Sequence, residues 1–237
     1  MPRLSICIPC HNAEIWFAQC IESIEQQTFK DLEILVYDDA STDGIDVLLW
    51  HFKAKLGDKF RFFKAEKSRG IAFARNYLVS MAEGDIICVQ DADDMSQKDR
   101  LSLVNDYFKR KKSVDLVYGG FQIIDPCDKP IAEQPGEPFD YKRMLEHNYI
   151  CHGSVAYRKS SFDKVKYREE CEVIDDWFLY YDFVKAGMKI GFLPDVLCFH
   201  RELVTGVSLS TAKREKIIAF KKKFLEETSA DLSALAN

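Results

Sequence analysis

Three carboxylates stand within four residues in Asp91-Ala92-Asp93-Asp94, directly after an apolar run. Like charges this close repel one another, so the segment is destabilised unless a cation neutralises it. Mn²⁺ or Mg²⁺ suits such a place, because these hard ions take one or two carboxylates and complete their shell with substrate phosphates. A cation held by this cluster would neutralise a departing nucleoside diphosphate. The plainer alternative is a helix start, with Asp94 or Ser96 capping a helix that begins near Lys98. Capping accounts for one or two of the three acids.

A second acidic pair, Asp38-Asp39, also follows an apolar run. A carboxylate there can accept a hydrogen bond from the N3 hydrogen of uracil, while Ser41 and Asp43 fit turn or capping roles. Arg69 and Arg75 bring positive charge to a third connection. Arginine suits bidentate phosphate contact, but Arg75, inside a predicted helix, serves equally as an ion-pair partner that holds the acidic loops. Asp175-Asp176 opens a later helical stretch, where acids also serve as caps.

These clusters can cooperate only if the fold brings them together. Residues 4–9 form a β-rich apolar run, and Asn12 offers a cap before Trp16, Phe17, Cys20, Ile21 and Ile24, which recur at helical spacing. Strands are predicted over 32–37, 60–64 and 85–90, with helices over 45–56 and 71–81. Strands alternating with helices, apolar throughout, indicate an α/β fold with a parallel sheet covered on both faces. Ligands bind such sheets at the carboxyl ends of the strands, so residues 11–14, 38–43 and 91–94 should converge.

Past residue 125 the pattern loosens into a long loop rich in Pro and Asp. A short helix over 141–147, a strand over 155–157, a helix over 176–186 closed by Gly187, and strands within 190–200 follow. The tail over 213–225 places Ile217, Phe220 and Phe224 on one helical face and Lys221 to Lys223 on the other. It reads as a packing helix, with attachment to anionic lipid as the sharper alternative.

With 237 residues, 47% hydrophobic, the chain fits one domain spanning 1–237: a ligand-binding half over 1–120, a second half over 121–212 and a helical tail over 213–237. A net charge of −5 offers no field to attract nucleic acid. Eight scattered cysteines, several within apolar runs, read as reduced core thiols, and the lone Cys7-x-x-Cys10 lacks the second pair a zinc site needs. No signal peptide or membrane-spanning run is recognisable, so a soluble cytoplasmic protein is expected.

Four ordered motifs resemble those of the family 2 glycosyltransferases, which have the GT-A fold. Residues 5–14, Ser-Ile-Cys-Ile-Pro-Cys-His-Asn-Ala-Glu, are similar to the family's opening strand and Pro-x-Tyr-Asn-x-Glu loop, with His11 in place of the usual Tyr. Gln26-Gln27-Thr28-Phe29 and the 36–44 segment match the next signature. Gly70 through Ala74-Arg75-Asn76 matches the third, and residues 82–85 with Asp91-Ala92-Asp93-Asp94 resemble the strand leading to the D-x-D motif. Later segments match more loosely, and Asp175-Asp176 stands where the family usually has Glu-Asp.

The resemblance implies a Rossmann-like nucleotide-binding sheet continuous with a smaller acceptor-binding part. It implies transfer of a hexosyl or N-acetylhexosaminyl group from a nucleotide sugar, a UDP-sugar by preference, to a glycan, lipid-linked or protein acceptor, as in cell-surface polysaccharide synthesis. Pro9, His11, Glu14, Asp39, Arg69, Arg75 and Asp91 would face the nucleotide, with Asp39 reading uracil. Asp93 and Asp91 would hold the metal, Asp176 would be the base of an inverting single displacement, and His152, Asp175, Trp177, His200 and Arg201 would contact acceptor or phosphate. A nucleotidyltransferase of related fold would need a Gly-rich basic loop after the first strand, which Pro9-Cys10-His11-Asn12 does not provide. A sugar-nucleotide-binding protein without chemistry is the other alternative, and the retained acids Asp39, Asp91, Asp93 and Asp176 argue against it.

Overall fold

In the computed structural model, which describes residues 3–171, 173–202 and 211–235, the chain begins with β1 (Leu4–Cys10), α1 (Glu14–Glu25), β2 (Leu32–Asp38) and α2 (Ile45–Leu56). It continues through β3 (Phe60–Lys64), α3 (Ile71–Met81), β4 (Ile86–Val89), β5 (Met95–Ser96) and α4 (Arg100–Arg110). The second half comprises β6 (Leu116–Ile124), β7 (Pro130–Gln134), α5 (Tyr141–Glu146), β8 (Ala156–Arg158), α6 (Asp175–Lys185), β9 (Ile190–Arg201) and α7 (Thr211–Leu235).

One sheet runs unbroken through the order β3-β2-β1-β4-β8-β6-β9-β5, with β7 paired to β6. β1 lies between β2 and β4 in parallel register, Cys7 facing Leu35 on one side and Val89 on the other. β8 is antiparallel to both β4 and β6, and β9 returns parallel to β6, so β1–β4, β6 and β9 all run one way. Strict alternation divides β1 between two cores. Leu4, Ile6, Ile8 and Cys10 pack with α1, α2 and α4 on one face, while Cys7 packs with α3 and α6 on the other. This explains why Cys7-x-x-Cys10 is no chelate: an odd spacing along a strand sends the two thiols to opposite faces.

Several boundaries differ from the sequence expectation. Asn12 does not cap α1. It sits at φ 54 in the left-handed region, and its Oδ1 accepts from the Thr42 N–H at 2.8 Å, tying the first loop to the second. α4 begins at Arg100 behind Asp99, so neither Asp94 nor Ser96 caps it. Residues 116–124 form the long strand β6, and the loop expected past 125 contains β7, whose five residues are all exposed. β7 pairs along the outside of β6 rather than burying a face, so it leaves no hydrophobic periodicity to read. The expected strands within 190–200 are one twelve-residue strand, β9.

α7 follows the packing expectation: Phe224 is fully buried, stacked on Trp177 at 4.3 Å and edge-on to Phe178 and Tyr181.

Candidate active site

The carboxyl ends of β1, β2, β4 and β9 meet at one edge of the sheet. Because β8 is antiparallel, the residues just before it, His152–Ser154, arrive at that same edge. Two cavities open there. One, of about 470 Å³, is lined by Pro9, His11, Trp16, Asp39, Asp93 and neighbours. The other, of about 550 Å³, is lined by Phe121, Gln134, Arg143, Asn148, Tyr149, Asp175 and Asp176 among others. Arg75, Asp91 and His200 belong to both.

Asp39 is buried, and its carboxylate accepts from the Arg69 N–H at 2.7 Å, the Gly70 N–H at 2.9 Å and the Ser68 hydroxyl at 2.7 Å. A carboxylate has about four lone-pair sites, so one remains for a ligand donor. Gly70 holds φ 87, a conformation other residues resist, and this turns its N–H toward Asp39. His11 Nδ1 donates to the Asp39 carbonyl at 2.8 Å, fixing the ring at the cavity wall. Asp38 turns inward, accepting from the Ser41 N–H at 2.9 Å.

Arg75 is the hub. Its buried guanidinium donates to Asp175 Oδ2 and, at 3.0 Å, to Asp91 Oδ1, joining the acidic loop after β4 to the start of α6. The ion-pair alternative for Arg75 is therefore realised. Asp94 is withdrawn from the cavity by the Arg201 N–H at 2.7 Å and by His200 Nδ1 at 3.0 Å. This contact with Asp94 raises the His200 pKa to about 10, so the ring is cationic. Burial, followed by repulsion from Asp94 and Asp91, pushes Asp93 up to about 6.

The donor set fits a hard cation only in part. Among the described residues, no group of three or more His, Cys, Asp or Glu could hold a metal ion alone. Asp93 carries charge that burial disfavours, and only one Asp91 oxygen is taken by Arg75. Two carboxylates that leave the rest of the shell to phosphate and water are what Mg²⁺ or Mn²⁺ uses beside a diphosphate.

At the second cavity Asp176 Oδ1 accepts from the Trp177 N–H at 2.8 Å, and Oδ2 accepts from Asn148 Nδ2 at 2.8 Å. Burial first, then the neighbouring Asp175, raises its pKa to about 6, while Arg75 opposes the shift.

Six of the expected site residues have other tasks. Glu14 reaches across to the Gly44 N–H at 2.8 Å at the start of α2, away from both cavities. The Arg69 guanidinium stacks on Phe73 at 3.3 Å and lines neither cavity; only its backbone N–H serves the site, through Asp39. His152 has both ring nitrogens engaged by Tyr180 and Tyr167 hydroxyls, at 2.7 and 2.9 Å, and burial keeps it neutral. Trp177 is buried, its indole N–H donating to the Met144 carbonyl. Arg201 is fully enclosed: Nε donates to the Asp93 carbonyl, and the guanidinium also holds Asp128 and Gln19. It shapes the acidic loop from behind. Asp175, similarly, acts through Arg75.

Sequence reasoning missed Asn148, Trp16 and Arg143. Asn148 lies 28 residues from Asp176, and no local pattern joins the two.

Residues 5–166 match the family described as Glycosyl transferase family 2. A PGL/p-HBAD biosynthesis glycosyltransferase of Mycobacterium bovis is 30% identical over 178 residues, covering 74% of this chain and 67% of the relative. S. aureus TarS 1-349 in complex with UDP-GlcNAc superimposes with a TM-score of 0.70 at 18% identity, over 95% of this chain and 71% of that one. A mannosyltransferase from Pyrobaculum calidifontis, in complex with GDP-Man and Mn²⁺, gives 0.65 at 22% identity, over 87% of this chain but only 58% of its own. These neighbours are GT-A glycosyltransferases, and the curled, mostly parallel sheet of this chain is that fold.

Proposed function

Because the chain belongs to glycosyl transferase family 2, we propose that it moves a hexosyl or N-acetylhexosaminyl group from a UDP-sugar to an acceptor hydroxyl, with inversion at the anomeric carbon. The observation that supports this most is the Arg75 bridge. It sets the Asp91–Asp93 loop beside the Asp175–Asp176 helix start, so a leaving-group side and a proton-accepting side adjoin.

The nucleotide lies in the cavity lined by Pro9, His11 and Asp39, where the remaining Asp39 lone pair accepts the uracil N3–H. Bound Mn²⁺ or Mg²⁺, held by Asp93 and Asp91, would supply Lewis-acid charge beside the departing diphosphate. The acceptor, a glycan, a lipid-linked oligosaccharide or a protein, enters the second cavity with its hydroxyl toward Asp176. Asp176 takes the hydroxyl proton as that oxygen attacks the anomeric carbon from the face opposite the leaving group. One carboxylate then suffices, and no covalent glycosyl-enzyme forms.

The base must be ionised to act. Since the Asp176 pKa is raised to about 6, kcat/KM should fall about tenfold per pH unit below that value. Asn148 donates to the ionised form and lowers this pKa, so Asn148→Ala should move the acidic limb to higher pH with little change in donor affinity. An unmoved limb would assign that limb to another group.

The donor is tested by thermal shift with UDP, GDP and their sugars, with and without Mn²⁺, because a bound ligand raises Tm by mass action. UDP compounds should stabilise the protein, more so with Mn²⁺, and Asp93→Ala should lose the metal-dependent part alone. A wild-type response indifferent to metal overturns the D-x-D assignment; a response to GDP in place of UDP overturns the uracil assignment.

A further inference from the structure

The outward face of α7 has a chemistry that sugar transfer does not use. Phe224, enclosed by Trp177, Phe178 and Tyr181, fixes the rotation of the helix. That rotation turns Ile218 and Leu225 outward, 69% and 36% exposed and seven residues apart, with exposed Lys221 and Lys222 between them. Ile218, Lys221, Lys222, Leu225, Glu226 and Ser229 line one shallow surface groove. Lys222 faces Glu226 at 3.8 Å, but both side chains are largely in water, where such pairs are weak.

Basic residues gather along this stretch of α7: residues 216–225 contain four lysines and no acid, and Glu226 and Glu227 follow, in a chain whose net charge is −5. Apolar side chains flanked by lysines on a helix that lies flat on a protein match the boundary between headgroups and acyl chains of an anionic bilayer. Among the described residues no helix is long and apolar enough to cross a membrane, so this contact is peripheral.

We propose that the Ile218–Leu225 face of α7 docks on an anionic lipid surface. The docked face lies near the proposed acceptor cavity. α7 packs on α5 and on Trp177 of α6, and the residue before Trp177 is Asp176. Lys221 Nζ lies 5.9 Å from the Trp177 ring. An acceptor hydroxyl carried on a lipid-linked glycan would thus be presented beside the proposed base; this last step rests on the glycosyltransferase reading, whereas the docking does not.

The test is co-sedimentation of the full chain with vesicles of phosphatidylcholine alone, or of phosphatidylcholine with phosphatidylglycerol, at about 0.1 M salt. Binding is expected to the anionic vesicles only and to weaken as salt rises. Lys221→Gln with Lys222→Gln should reduce it about thirtyfold, and Ile218→Ser with Leu225→Ser should also weaken it. Both double variants should keep wild-type stabilisation by UDP. Equal binding to the two vesicle types, binding to neither, or a lysine variant that binds like wild type overturns the proposal. A chain that binds anionic vesicles but is not stabilised by any nucleotide sugar keeps the docking and removes the transferase reading.

Discussion

Asp176→Asn is expected to lower kcat about a thousandfold while donor affinity stays within about twofold, the range general-base catalysis supplies. Asparagine keeps the shape and its single amide oxygen can accept from only one of the two donors, the Trp177 N–H or Asn148 Nδ2, and it cannot take the acceptor's proton. The same substitution should slightly stabilise the fold. The Asp176 pKa is raised by burial, so the folded state favours the protonated form, and its ionised form opposes folding as pH rises through about 6. A neutral amide removes that opposition, so Tm at pH 7 should rise and the difference from wild type should vanish below about pH 4. Single-turnover transfer, nucleotide-induced thermal shift and a pH series of Tm measure the three effects. Turnover at the wild-type rate would remove Asp176 from the base role.

Arg75→Met should cost about 3–5 kcal/mol of stability, because it leaves Asp175 buried and Asp91 half-buried without their shared cation. That is a large part of the 5–15 kcal/mol typical of a domain. Adding Asp175→Asn should restore part of it by removing one unpaired charge, and Arg75→Lys should fall between, since an ammonium lacks the planar fork that spans two carboxylates. Urea midpoints of the four proteins decide the matter. An unchanged midpoint in Arg75→Met would show that the two acidic segments are not held together electrostatically. Donor affinity should also fall, because the Asp91 carboxylate loses its anchor.

The two variants separate chemistry from architecture at neighbouring positions. Asp176 has a side chain at the cavity and a proton to take; Asp175, one residue earlier, points to Arg75 and positions the helix start. By residue type alone they are equivalent acids. Two consecutive helical residues project about 100° apart, and only the placement of Arg75 decides which one is paired.

The sheet edge was legible from the chain alone. Apolar runs over 32–37 and 60–64 and helical stretches over 45–56 and 71–81 were clear enough to place β2, β3, α2 and α3, and hence to converge Asp39 with the Asp91–Asp94 loop. β6, β7 and Asn148 were not. β6 lies between antiparallel β8 and parallel β9, a pairing made by residues some 40 to 80 positions away, and β7 is solvated on every residue.

The polar residues divided the same way. Side-chain type determines what a residue can bond, so aspartate clusters after strands were enough to locate the site. Which partner each one takes depends on what the fold brings within about 3 Å. Glu14, His152, Trp177 and Arg201 carry the right chemistry for a ligand, yet each satisfies a buried or loop partner from a distant segment. Sequence thus determined the fold class and the edge at which acids gather; tertiary contact alone decided which of those acids and bases remain free to meet a substrate, because burial is costly for a polar group that finds no partner.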